Sequence, residues 1–153
     1  MKQASLFKGG EQGKRKAGRY YSSQFETYRD LWQSLQALKF AGDALWERVS
    51  LANIINFANQ LRETGAQIDM GAVFFEEEDY TELKALLEAF GRFKMGKYRL
   101  LQIHSREDSK KIDSDTASDQ IRQNYQYKDE YERLLDRIRV SFRTRLSSVA
   151  HDE

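Results

Sequence analysis

The sequence predicts an all-α protein, an antiparallel up-and-down four-helix bundle of long helices preceded by a flexible basic tail. Three observations predict it. Apolar residues recur every three or four positions through four separate stretches, the spacing that lines one face of an α-helix. No run of alternating β-branched residues bounded by turn dipeptides reads as a strand. The length, 153 residues, is that of one ordinary domain and is enough to remove roughly 70% of the unfolded chain's surface from water.

Residues 1–17 hold three glycines, few apolar side chains and no sustained period, which marks a flexible tail. The first helix is expected at about 18–47, where Tyr21, Phe25, Tyr28, Leu31, Trp32, Leu35, Leu38, Gly42, Leu45 and Trp46 share one face. Lys39 falls near that stripe and is expected to snorkel past its neighbours. Ser50 suits an N-cap, because its hydroxyl can accept from an orphan amide of the first turn. A second helix follows to about residue 73, with Leu51, Ile54, Ala58, Leu61, Gly65, Ile68 and Ala72 stepping alternately by three and four as a coiled-coil-like seam. Small residues at 58, 65 and 72 would let another helix come close.

Acids crowd positions 76–79, and acids favour the positive end of a helix dipole, so a third helix is expected over about 79–105. Its stripe is Leu83, Leu86, Leu87, Phe90, Tyr98 and Leu101, weakened by Gly91, Lys94, Gly96 and Lys97, where a kink or an open bundle end is expected. Residues 105–117 lack an apolar period and read as a loop. A fourth helix spans about 118–148 on the stripe Ile121, Asn124, Tyr127, Tyr131, Leu134, Leu135, Ile138, Phe142, Leu146 and Val149. The bundle domain thus covers 18–149, with 150–153 as a short C-terminal tail. The rival architecture is a set of helical hairpins that complete their core by dimerising.

Composition removes several function classes. Without cysteine there are no disulfides, thiolate metal sites or cysteine nucleophiles. No run of 18 apolar residues suggests a membrane span, and the charged first 20 positions lack a signal-peptide core, so a cytoplasmic location is expected. The 19 aromatic residues argue for a packed core inside a polar surface of mean hydropathy −0.77. Overall charge is +1, yet residues 1–19 alone carry six basic groups against Glu11.

Lys8, Lys14, Arg15, Lys16 and Arg19 are therefore candidates for contact with nucleic-acid phosphates or another anionic surface, with Tyr20 and Tyr21 able to stack on bases. The segment Gly9–Lys14 fails as a phosphate-binding loop, since position 8 is lysine, position 15 is arginine and no strand precedes it. The acids Glu76–Glu82 suit a hard cation chemically, but no E-x-x-H pair accompanies them and a helix start explains them. Residues 113–124 resemble the opening of a calcium loop, yet Ser118 stands where glycine is required and Asn124 where glutamate is. No metal or cofactor is expected. His104 has no nucleophile or acid placed beside it by spacing. The arginines at 133, 137, 139, 143 and 145 spread around the helix and suit intrahelical pairs better than one binding face.

Phe40 and Phe57 fall outside the stripes of their helices and are the candidates for an exposed partner contact. The leading functional expectation is a non-enzymatic helical module for protein–protein interaction or scaffolding, binding another protein or itself through a helix face. The alternative is a small nucleic-acid-binding or regulatory protein that uses the basic arm. A third class is an enzyme with a site in the bundle core, which a pocket containing Lys39, Lys94 or Lys97 beside buried acids would favour.

Overall fold

The structure is a computed structural model that describes the backbone over residues 9–107 and 114–152, and side chains over 22–105 and 116–148. It is an all-α bundle of four helices: α1 (Gly9–Glu47), α2 (Leu51–Met70), α3 (Glu77–Glu107) and α4 (Ser114–Asp152). Helix α1 begins at Gly9 rather than near residue 18, so Lys14, Arg15, Lys16 and Arg19 stand on helical backbone, while Lys8 lies outside the described residues.

The α1–α2 connection is short and pinned at both sides. Ser50 has an extended backbone (φ −143°, ψ 157°), and its Oγ accepts from Asn53 N at 3.1 Å, the N-cap its position suggests. Asn53 in turn donates through Nδ2 to the Arg48 carbonyl at 2.9 Å. Helix α2 ends at Met70, three residues before the expected boundary, because the chain turns at Gly71. A Cβ there would sit 2.8 Å from Thr27 Cγ2 and 3.1 Å from the Phe75 ring, so the turn is pressed against α1. Phe75 then buries edge-on against Tyr28, and α3 starts with Glu77, Glu78 and Asp79 in its first turn.

Each helix runs antiparallel to its neighbours. Ser34 faces Thr64 while Gly42 faces Phe57 between α1 and α2; Asp69 meets Lys84 while Gly65 meets Leu87 between α2 and α3. Glu82 pairs with Arg137, and Arg92 with Glu130, between α3 and α4. Tyr28 and Trp32 meet Phe142 while Trp46 meets Tyr125, which places α4 against α1 and closes the ring. The four helices of one chain close around a shared core, the up-and-down arrangement rather than separate hairpins. Its middle is leucine from α1 and α3, Ile138 and Leu135 from α4, and an aromatic cluster in which Phe90 stacks on Tyr131 at 4.3 Å and Phe57 lies 5.8 Å from Phe90 and from Phe93.

Helix α2 is rolled relative to the expected seam. Its buried positions are Ile54, Phe57, Thr64 and Ile68, with Leu61 partly buried, whereas Leu51 is 57% exposed and Ala58 and Gly65 lie on the flank toward α3. Phe57, expected as an exposed contact residue, is instead fully buried. The reason is area: a phenyl ring removes far more apolar surface from water than the methyl of Ala58, so burial of Phe57 sets the helix's rotation. Thr64 enters the core because its hydroxyl is matched by Ser34 Oγ at 2.8 Å. Helix α3 runs as one helix through Gly91 and Gly96, and Tyr98, expected inside, is 42% exposed while Phe93 takes a core position. In α4, Ile121 is likewise exposed and Asn124 buried.

Candidate functional site

Three places in the bundle carry polar or exposed groups that packing alone does not require. The first lies where α1, α3 and α4 meet at the start of α3. Asp79 is 1% exposed, and its Oδ2 accepts from Tyr28 Oη at 2.7 Å and from Arg145 Nε at 3.1 Å. The Glu76 backbone N–H donates to the same tyrosine oxygen at 3.0 Å, and Gln24 Nε2 donates to the Phe74 carbonyl at 2.8 Å. Burial raises the Tyr28 hydroxyl pKa above its ordinary value, the Asp79 carboxylate adds to the rise, and the Glu76 N–H and the Arg145 charge oppose it. A neutral phenol that donates to a buried carboxylate already paired with arginine makes a locked structural joint. The other carboxylate oxygen, Asp79 Oδ1, is buried with no hydrogen-bond partner among the described residues.

The second place is the opposite end of the bundle. Lys97, on the third quarter of α3, is 4% exposed. Its Nζ lies 4.0 Å from the centroid of the Trp46 ring and 5.7 Å from that of Phe93. Burial, and after it the positive charge of Lys128, push its pKa down to about 8. Lys128 itself pairs with Glu132 at 3.0 Å. Among the described residues burial and Lys128 act on Lys97, and no carboxylate offsets them. Beside it, Gly96 presses against Asn124: a Cβ at 96 would fall 1.6 Å from Asn124 Oδ1. Asn124 is fully buried, and among the described residues neither its Oδ1 nor its Nδ2 has a hydrogen-bond partner; Gln120 Nε2, one turn earlier on α4, has none there either. Lys97 lines a cavity of about 530 Å³ whose wall includes Val49, Leu100, Ile103 and Ile121, with Glu47, Arg48 and His104 sharing it.

The third place is the outer groove between α2 and α3. Leu51 and Ile55 on α2, and Met95 and Tyr98 on α3, are all exposed large apolar residues. Leu51 and Tyr98 line one surface cleft with Leu101. The floor of the groove is small: Ala58 and Gly65 come from α2, and a Cβ built at Gly91 of α3 meets nothing within 4 Å.

Sequence reasoning placed some of this and missed the rest. Phe40 is 67% exposed, as expected, and is the one exposed large apolar residue among the described side chains of α1. The side chains of Lys14, Arg15, Lys16 and Arg19 lie outside the described residues, as does the whole of Lys8. Lys39 pairs with Asp43 at 3.0 Å at the bundle surface. Arg133 and Arg139 make the expected intrahelical pairs, with Asp129 and Asp136, but Arg137 and Arg145 reach across to α3. Among the described residues no three His, Asp or Glu side chains converge to hold a metal ion. The buried carboxylate, Asp79, stands 18 residues before Lys97 on α3, roughly 27 Å away along the axis, so the lysine cavity and the buried acid are separate.

The class that fold and sites define is an all-α, up-and-down bundle with an apolar outer groove and a lysine-lined end cavity. No described helix is long and apolar enough to cross a membrane. No protein family, curated protein or solved structure matches the chain, so its geometry carries the functional argument.

Proposed function

We propose that the protein is a non-enzymatic helical interaction module whose groove between α2 and α3 receives an amphipathic helix of a partner protein. The observation that carries this is the apolar strip Leu51, Ile55, Met95 and Tyr98, exposed over a floor left open at Gly91. Two antiparallel helices form a valley that a third helix fills with apolar residues spaced three and four apart. Leu51 and Ile55 on one wall, and Met95 and Tyr98 on the other, keep that spacing. Small floor residues permit close approach, Met95 adapts its shape to a partner, and Tyr98 combines apolar area with a hydroxyl for the rim. A strand-like partner is disfavoured because no sheet edge exists among the described residues to hydrogen-bond with it.

A photo-reactive phenylalanine analogue at position 55, irradiated in the source cell, is expected to give one discrete protein adduct. Tyr98→Arg should abolish the adduct and leave the circular dichroism melt unchanged. The same analogue at Val140, which is similarly exposed on α4, should give none. Absence of an adduct at 55, or an equal adduct at 140, overturns the proposal.

A further inference from the structure

The end cavity calls for a different explanation from the groove. A lysine ammonium carries three donors and a charge, and removing it from water without an acceptor or counter-ion is costly. Among the described residues no acid acts on Lys97, and its compensation is the ring faces of Trp46 at 4.0 Å and Phe93 at 5.7 Å. A methionine would fill the same volume against Trp46 and Phe93 at lower cost. Next to it, α4 buries Asn124 with both amide atoms unmatched, although an apolar residue would pack there more favourably. Polar groups kept in a core against their own packing energy mark places where a fold serves something other than stability.

We propose that this cavity binds a small organic acid, a single carboxylate on an apolar body, with Lys97 as its charge partner. The volume, about 530 Å³, lies within the range of roughly 300–1,000 Å³ in which proteins hold small molecules. The wall at Val49, Leu100, Ile103 and Ile121 accepts hydrocarbon or an aromatic ring, and among the described lining residues Lys97 and Arg48 stand with the carboxylate of Glu47. One largely buried lysine matches a monoanion; a dianionic phosphate would need several more donors than the described wall supplies. The ligand's carboxylate would accept from Nζ and replace the missing counter-charge, and its apolar body would cover the side chains of Leu100 and Ile121.

The test uses the full chain, isotopically labelled, titrated with phenylbutyrate and, separately, with phenylbutanol, the uncharged analogue of similar size. Amide resonances of residues 97–104 and 117–121 are expected to shift saturably with the acid and at least tenfold more weakly with the alcohol. In Lys97→Met, with its fold checked by the same spectrum, that preference should vanish. Equal affinity for acid and alcohol in the unmodified chain, no saturable shift, or shifts confined to other surfaces would each overturn the proposal. The acid–alcohol comparison stands even if the variant fails to fold. A preference that survives Lys97→Met would also overturn it, by locating the charge partner elsewhere.

Discussion

Lys97 makes a prediction whose sign follows from proton linkage. Its folded-state pKa near 8 lies below the ordinary lysine value of 10.5. Below pH 8 both folded and unfolded chains carry the proton, so the folded state bears the whole cost of a buried charge. Between pH 8 and 10.5 the unfolded chain binds more protons than the folded one, and stability therefore rises with pH through that window. Lys97→Met is expected to be more stable than the parent at pH 7, by on the order of 2 kcal/mol once the lost contact with Trp46 is set against the shift. The gap should close by pH 10, which chemical denaturation at the two pH values measures. The glycines of α3 give a paired test of packing. Gly96→Ala drives a methyl into Asn124 and should cost about 1–3 kcal/mol, whereas Gly91→Ala meets open space and should gain up to about 1 kcal/mol from helix propensity alone. Thermal melts of the two variants should therefore move in opposite directions.

The four elements could be read from the sequence because each carries a long apolar stripe and most boundaries carry a chemical signal. The Ser50 cap is one such signal, and Ser50→Ala is expected to cost about 1 kcal/mol in a denaturant titration, since Asn53 N would lose its acceptor. Rotation about the helix axis was less legible. In α2 two stripes, one through Ala58 and Gly65 and one through Phe57 and Thr64, share Ile54, Leu61 and Ile68, and periodicity alone does not choose between them. The larger area of Phe57 decides in favour of the second, together with a hydroxyl partner for Thr64 that belongs to another helix. The same limit hid the sites. Asp79 could be seen as one of four acids at a helix start, but its partners Tyr28 and Arg145 are 51 and 66 residues away, and nothing in local spacing joins them. Lys97 was visible as a charge on an apolar face; that it turns inward beneath Trp46 depends on how α1 and α4 close over α3.

At the scale of the whole molecule, polar contacts sit at different levels of one continuous apolar column. The Tyr28–Asp79–Arg145 joint ties three helices at one level, and Ser34, Gln60 and Thr64 join α1 to α2 midway along it. Asp79→Ala should remove a carboxylate shared by two elements and leave the Arg145 charge and the Tyr28 hydroxyl without it. A loss of about 3 kcal/mol is expected, at the lower end for a buried pair because the Arg145 side chain is one-third exposed. A far smaller loss on urea unfolding would show that the joint orders the helix ends without supporting them. The chain's two tryptophans fall on either side of the midpoint, Trp32 edge-on to Phe142 toward the joint and Trp46 between Lys97 and Tyr125 at the cavity. Nature has thus supplied one fluorophore per half, and single-tryptophan variants can time each half's emission as the bundle is unfolded. Coincident transitions would mean that the leucine column couples the halves into one cooperative unit. An earlier change from Trp46 alone would mean that the end holding the buried lysine opens and recloses while the rest of the molecule stays shut.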